Sequence, residues 1–259
     1  MLLAIDIGNT NIVFGIHKKD EWCARWRIRT VRDKMPDEYA VLLKEFIRED
    51  AIRIDTIDSV VLTSVVPPLT AGFVELCQRY LWTEPIIIGP GVRTGIDIRT
   101  ENPSEVGADL VANAAAAYDL FSQDCIVVDF GTATTFSAVA SPGVFLGVAI
   151  APGLRTAAEA LSTRAAQLPR IDLKVPQSAI GRNTTQSMQA GLMLGFVHLT
   201  EGLIRRLRNE MDTDARVVAT GGHASLIAPH TNSIDRVEPW LTLDGLRLIA
   251  ERNLPNGSR

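Results

Sequence analysis

Ile5-Asp6-Ile7-Gly8-Asn9-Thr10-Asn11-Ile12-Val13-Phe14 is a segment whose pattern returns at Val128-Asp129-Phe130-Gly131-Thr132-Ala133-Thr134-Thr135-Phe136-Ser137. Each segment reads as an apolar strand ending near an Asp, a short turn with Gly, and a second strand. The second copy begins a little under half a chain length after the first. An interval of this size predicts a duplicated domain and not a solenoid of short repeats.

Strands and helices alternate around the two segments, which is typical of a layered α/β protein. Apolar and β-branched runs predict strands at Leu2–Ile5, Ile12–Ile16, Trp22–Ile28, Ser59–Thr63, Pro85–Ile88, Ile126–Asp129, Thr134–Val139, Val144–Ile150 and Val217–Ala219. Helical patterns occupy Pro36–Glu49, Leu69–Leu81, the Ala-rich Glu105–Phe121, Leu154–Arg164, Thr184–Glu210 and Leu243–Asn253. We expect domains at 1–118 and 119–259, each a mixed sheet flanked by helices, and a disordered tail at 254–259.

The composition excludes several classes of protein. The net charge of −4 gives no basic footprint for nucleic acid. The amino terminus lacks the pattern of a signal peptide, and no run reaches the roughly 18 apolar residues of a membrane span. Three well-separated cysteines, Cys23, Cys77 and Cys125, indicate buried thiols in a reducing compartment. We therefore expect a cytoplasmic protein with no nucleic-acid or membrane partner.

The repeated hairpin has a chemical use. Gly lets the backbone approach a phosphate, turn N–H groups and a Thr hydroxyl donate to its oxygens, and the Asp can hold a hard cation. For one copy alone, ordinary turn chemistry is an equally good interpretation. Two copies together favour a pair of hairpins that close on a polyphosphate from both sides.

The two hairpins, Asp6–Asn11 and Asp129–Thr135, resemble the phosphate motifs of the acetate kinase, sugar kinase, Hsp70 and actin superfamily. Further strings across nearly the whole chain resemble type III pantothenate kinase in order and spacing: Asn102-Pro-Ser-Glu-Val-Gly-Ala-Asp109, Gly147–Gly153, Gly181-Arg-Asn-Thr184 and Ala219-Thr-Gly-Gly222. The resemblance implies duplicated actin/hexokinase-like (ribonuclease H-like) domains with a central cleft. It also implies phosphorylation of pantothenate by ATP, the first step of coenzyme A biosynthesis.

The resemblance also implies which residues form the site. Mg²⁺ would lie near Asp6, and Asp129 would bind a monovalent cation, K⁺ or NH₄⁺. Asp109 would be the general base. ATP would contact Asp6, Ile7, Gly8, Asn9, Thr10, Asn11, Ile12, Val13 and Thr132, and pantothenate would contact Thr100, Gly107, Ala108, Asp109, Leu110 and Thr184. The family forms homodimers, so we expect a homodimer.

Some of these residues have a plainer interpretation. Asp109 could simply be a carboxylate favoured by the dipole at a helix start. Gly221-Gly222 could be a strand-to-helix turn, or could lie beside the nucleotide. Leu110 and Thr100 depart from the Arg and Tyr that the family carries. Two alternatives therefore stay open: a non-catalytic, nucleotide-binding regulatory relative, and a kinase of another small hydroxylated substrate.

Overall fold

The computed structural model describes residues 1–254, and its contacts divide the chain into two compact units. The first unit contains residues 1–96, 101–116 and the chain from Leu241 onward, and the second contains 97–100 and 117–240. The carboxy-terminal helix thus has its contacts in the first unit, although it lies within the predicted range 119–259. Apart from Leu254, the predicted disordered tail lies outside the described residues.

The elements in chain order are β1 (Leu2–Ile7), β2 (Asn11–Lys18), β3 (Glu21–Arg29), α1 (Pro36–Glu49), β4 (Ser59–Ser64), α2 (Pro67–Leu81), β5 (Ile86–Ile87), β6 (Asp97–Ile98), α3 (Ala108–Phe121), β7 (Cys125–Phe130), β8 (Ala133–Ala140), β9 (Val144–Pro152), α4 (Leu154–Arg164), α5 (Thr184–Gln189), α6 (Gly195–Met211), β10 (Arg216–Thr220), α7 (Ala224–Ile227), β11 (Arg236–Val237) and α8 (Leu241–Asn253). No helix among residues 1–254 is both long and apolar enough to cross a membrane.

The first unit is a five-stranded sheet in the order β3-β2-β1-β4-β5. Alternate residues of β1 and β2, such as Ile5 and Phe14, are fully buried and pack with Tyr39 of α1 and Phe73 of α2. On the other face α8 contacts β1, β2 and β4, and Gly15 of β2 leaves room for Leu243. The sheet is therefore covered by helices on both faces.

The second unit is a six-stranded sheet in the order β11-β10-β7-β8-β9-β6. Its buried face includes Val128 and Phe136, which pack against Phe196 and Ile204 of α6. Five of its strands repeat the first sheet, because β7 is antiparallel to β8 and parallel to β10, as β1 is to β2 and β4. The sixth, β6, is added beside β9. The prediction of two mixed sheets flanked by helices is confirmed.

The two hairpins differ by one residue. In the first, Ile7 pairs with Ile12 across four turn residues, whereas in the second Phe130 pairs with Thr134 across three. The structural counterpart of Ile12 is thus Thr134, and not Thr135 as the ungapped comparison of the sequences has it. Since side chains alternate between faces, this single residue decides which positions of β8 face the core.

Other sequence-based expectations also needed correction. The Ala-rich helix begins at Ala108 and not Glu105, because a 3₁₀ turn at Pro103–Glu105 precedes it. The predicted helix 184–210 is interrupted by a π-helical segment, Ala190–Leu194. Cys77 and Cys125 are buried as expected, and burial raises the pKa of each thiol to about 12. Cys23 is exposed on β3, so its expected burial was wrong.

A pair of glycine substitutions tests the packing of α8. A Cβ at Gly245 would lie 1.9 Å from the carbonyl oxygen of Ala112 in α3. Gly245→Ala should therefore lower the free energy of unfolding by about 1–3 kcal/mol, through overpacking. Gly202→Ala in α6 should raise it by about 0.5–1 kcal/mol, because nothing lies within 4 Å and Ala favours a helix. Urea denaturation measures both, and equal effects would contradict this packing.

Candidate active site

The turn of the first hairpin is fixed by its own backbone and by the chain that follows β3. Gly8 N–H donates to the carbonyl oxygen of Asn11 at 3.0 Å. The Thr30 hydroxyl donates to the carbonyl oxygen of Gly8 at 2.6 Å, and Thr30 N–H to that of Thr10 at 2.9 Å. Asn9, Thr10 and Asn11 are exposed. The result is a rigid turn that presents backbone and small polar side chains to solvent.

The other residues predicted to contact ATP in this hairpin lie on the strands. Ile7 and Ile12 are fully buried in the core with α1 and α2, so their side chains cannot face a ligand. Asp6 is half-buried and pairs in register with Val13 on β2 and Thr63 on β4. Side chains of residues in register lie on the same face of a sheet. Asp6, Val13 and Thr63 therefore share the face opposite the α1–α2 core.

Thr63 was missed by the sequence analysis. Its hydroxyl is completely buried and has no hydrogen-bond partner within the described part of the chain. A buried polar group without a partner costs about 1–3 kcal/mol, and such groups concentrate at functional sites. Only the pairing of β1 with β4 places this hydroxyl beside Asp6, and a pairing across 57 residues leaves no local sequence signal.

The turn of the second hairpin is held by the start of α4. Gly131 N–H donates to the carbonyl oxygen of Ala133 at 3.0 Å. The carbonyl oxygen of Thr132 accepts Gly153 N–H at 3.1 Å and the Thr156 hydroxyl at 2.8 Å. A Cβ at Gly153 would lie 2.3 Å from that same oxygen, so no side chain fits. Thr132 itself is exposed.

Asp129 lies in the same position on β7 as Asp6 on β1, and it pairs with Thr135 and Thr220. Gly221 packs directly on it. A Cβ there would lie 2.3 Å from Oδ1 of Asp129, and the φ of +88° also favours glycine. Gly221 is thus required by the packing around Asp129, whether or not it also contacts a ligand, whereas nothing lies within 4 Å of a Cβ at Gly222.

Asp109 lies in the first turn of α3, and its carboxylate folds back over Gly107. A Cβ at Gly107 would lie 2.5 Å from Oδ1 of Asp109, and that oxygen accepts Leu110 N–H at 2.8 Å. Burial raises the pKa of the Asp109 carboxyl, and the bond from Leu110 N–H opposes this shift. The Thr242 hydroxyl donates to Oδ1 of Asn113 at 2.8 Å, which fixes this end of α3 to α8.

The remaining residues predicted to contact pantothenate lie in both units. Ala108 and Leu110 flank Asp109 in the first unit and are half-buried. Thr100 follows β6 in the second unit, and its hydroxyl is buried without a partner among residues 1–254. Thr184 is exposed at the start of α5, where it borders a largely apolar cleft of about 370 Å³. Within the described residues no group of three or more His, Cys, Asp or Glu could hold a metal.

Comparison with known proteins gives consistent results. Residues 2–206 match the model of a family described as type III pantothenate kinase. Curated relatives with that description include proteins from Moorella thermoacetica, 52% identical over 98% of this chain and 100% of the relative, and from Geobacter sulfurreducens, 47% identical over 98% and 99%. The predicted resemblance is confirmed.

Solved structures support the fold alone, since their sequence identity is low. A Baf family transcriptional activator from Campylobacter jejuni has a TM-score of 0.63 at 19% identity, with 97% of this chain and 98% of that chain covered. An ROK hexokinase from Thermus thermophilus has a TM-score of 0.51 at 14% identity, with 98% and 99% covered. The predicted duplicated actin/hexokinase-like fold is confirmed.

The raised pKa of Asp109 predicts a pH-dependent stability difference. Below about pH 3.8, the ordinary value for Asp, the carboxyl is protonated in both the folded and unfolded states. As pH rises through the raised pKa of the folded state, ionisation of the buried carboxyl lowers the free energy of unfolding. The amide of an Asn at this position does not ionise, so the variant has no such loss. Asp109→Asn should therefore gain stability over the wild type between acidic and neutral pH, as measured by thermal unfolding. Asp119→Asn, at an exposed position of the same helix, is the matched control. A difference independent of pH would contradict the burial of the Asp109 charge.

Proposed function

The chain belongs to the type III pantothenate kinase family, and we propose that it transfers the terminal phosphoryl group of ATP to the 4′-hydroxyl of pantothenate, the first step of coenzyme A biosynthesis. The observation that carries this proposal is the 52% identity to a curated family member over 98% of the chain. Phosphoryl transfer depends mostly on positioning and on neutralising charge. The two hairpins and Asp109 provide residues for both tasks.

The residues of the first hairpin suit a polyphosphate. Asn9, Thr10 and Asn11 are exposed on a turn that cannot easily shift, so their N–H and side-chain donors are preorganised for phosphate oxygens. Thr132 offers the same groups on the second hairpin. Mg²⁺ in kinases is usually held by one or two carboxylates together with substrate phosphates. Asp6, with the unpartnered Thr63 hydroxyl beside it, fits that limited role.

Asp109 is proposed as the general base that orients the pantothenate hydroxyl and accepts its proton. A carboxyl with a raised pKa is a stronger base once ionised, and efficiency improves as the pKa approaches the working pH. Its position is fixed by Gly107, by Leu110 N–H and by the packing of α3 on α8. The carboxylate accepts backbone N–H bonds from Leu110 and from Asp109 itself, which hold it at the start of α3.

One observation favours a second candidate. Leu110 places an apolar side chain beside Asp109 where the family motif has Arg, and loss of one charge-assisted contact to an anionic substrate costs about 1.5–3 kcal/mol, or roughly 10- to 100-fold in binding. The chain could then bind nucleotide in a regulatory role or phosphorylate another hydroxylated molecule. ADP release by the wild type with and without pantothenate distinguishes these. If ADP release is the same with and without millimolar pantothenate, the proposal that the protein is a pantothenate kinase is wrong.

If Asp109 is the general base, its substitution should change kcat and leave the KM for ATP nearly unchanged. Asp109→Asn should lower kcat by about 10²- to 10⁴-fold, because general base catalysis contributes that much. The KM for ATP should change little, since the nucleotide is assigned to other residues. Asp119→Asn on the same helix should leave both constants unchanged. A kcat for Asp109→Asn within threefold of the wild-type value would remove Asp109 as the base.

Asp129 is proposed as the ligand of a monovalent cation, K⁺ or NH₄⁺. Its carboxylate is half-buried and fixed by Gly221, which suits an ion that needs a single charged ligand. Asp129→Asn should raise the K⁺ concentration for half-maximal ADP release at least about tenfold, as expected for loss of one charge-assisted contact. Titration with KCl at constant ionic strength measures this. An unchanged K⁺ requirement would exclude Asp129.

We also propose that the protein is a homodimer. Exposed apolar side chains of the second unit support this: Ile150 is 68% exposed, Leu161 39% and Ile180 81%. Where such side chains form one patch, that patch is commonly buried against a second chain. Thr184, near the same cleft as Leu161, is the proposed contact with the substrate of the partner subunit. A monomer mass by light scattering at micromolar concentration would contradict the dimer.

A further inference from the structure

Strand β3 carries arginine at every second position. Arg25, Arg27 and Arg29 are all exposed, and they alternate with half-buried Trp26 and Ile28. The regular alternation means that the three guanidinium groups leave the same face of the sheet. They therefore form a row of positive charge along the edge strand of the first unit.

The strand register places this row beside the first hairpin. Arg27 pairs with Val13, which pairs with Asp6, and Arg29 pairs with Asn11 at the end of the turn. Paired residues share a face, so the arginines emerge on the face that carries Asp6. Adjacent strands lie about 4.8 Å apart, so the backbone of Arg29 lies about that far from the backbone of Asn11. The side chain of Arg29 is longer than this distance.

A fourth arginine approaches the turn from the loop after β3. The guanidinium of Arg32 donates to Oδ1 of Asn9 at 3.0 Å. Arg29, by contrast, makes no ion pair or hydrogen bond among residues 1–254, unlike the exposed Arg48, which pairs with Glu45. Two cationic groups thus flank the turn, and one of them is uncommitted.

Protection of the sheet edge is a simpler explanation for charge on β3, because charged side chains discourage pairing between edges. Edge protection does not require that all the charges have the same sign, or that they lie near the turn of the first hairpin. It does not explain three like charges on one face of a chain whose net charge is −4, nor the position of Arg32 beyond the strand.

We propose that Arg29 and Arg32 extend the phosphate site of the first hairpin and bind the outer phosphates of a nucleoside triphosphate, with Arg27 adding to the positive field that attracts it. This inference rests on the proposed assignment of the Gly8–Asn11 turn to ATP. Guanidinium groups suit phosphate oxygens because they donate two parallel hydrogen bonds. The field also raises the local concentration of a polyanion, so it should depend on ionic strength.

Direct binding of MgATP, MgADP and AMP by calorimetry tests the inference without requiring turnover. Arg29→Ala should weaken MgATP binding about tenfold or more, MgADP less and AMP hardly at all, and Arg29→Lys should restore only part of the loss, because an ammonium group keeps the charge but cannot donate two parallel hydrogen bonds. The dependence of Kd on added choline chloride, at fixed K⁺, should be less steep in Arg29→Ala. Arg48→Ala, an exposed arginine at the end of α1, should bind all three nucleotides as the wild type does.

Arg32 could act only by holding the turn, because its guanidinium donates to Oδ1 of Asn9. A direct contact with the outer phosphates predicts that Arg32→Ala weakens binding of MgATP more than of MgADP and of AMP hardly at all, and an equal loss for all three nucleotides would overturn the assignment of Arg32. An MgATP Kd within twofold of the wild-type value in Arg29→Ala would overturn the proposal as a whole, as would a wild type that binds no ATP. If these binding differences appear while ADP release stays independent of pantothenate, the substrate proposal fails and this inference stands.

Discussion

The pairing of each Asp-bearing strand with a parallel neighbour is the constraint on which the rest of the molecule depends. Asp6 lies opposite Thr63, and Asp129 lies opposite Thr220, each two residues before the glycine that begins a turn. Because side chains alternate, a slip of one residue would send the carboxylate into the apolar core and turn a core residue out. The buried alternate positions of both sheets fix the register, and the register fixes the carboxylates.

The second shared feature is a glycine backbone packed closely against an oxygen of each of three proposed site residues. Gly107, Gly153 and Gly221 each lie where a Cβ would come within 2.5 Å of an oxygen of a residue proposed for the site: a carboxylate oxygen of Asp109, the carbonyl oxygen of Thr132 and a carboxylate oxygen of Asp129. Glycine costs folding entropy at each position. The buried carboxyl of Asp109 and the unpartnered hydroxyl of Thr63 also lower the free energy of unfolding. Features that lower stability in this way are typical of residues whose positions serve function.

Much of this architecture could be predicted from local pattern. Alternation and helical periodicity gave the main strands and helices, and the repeat of Asp6-Ile7-Gly8 at Asp129-Phe130-Gly131 gave the duplication. The two-residue strands β6 and β11 were missed, because so short a strand has no periodicity. The π segment at 190–194 was missed, since its sequence is ordinary for a helix. The roles proposed for Asp109 and Thr184 come from the family resemblance and not from spacing. Thr63 and Arg32 depend on pairings between distant strands or between loop and turn, which no local pattern encodes.

The central claim, that both hairpins are phosphate sites, is tested most directly by backbone amide chemical shifts of the labelled protein titrated with MgATP and, separately, with adenosine. The account predicts that the amides of Gly8, Asn9, Gly131 and Thr132 shift with MgATP and remain in place with adenosine, since the turns bind phosphate and not the nucleoside. Amides of either turn that stay unchanged at saturating MgATP would contradict it.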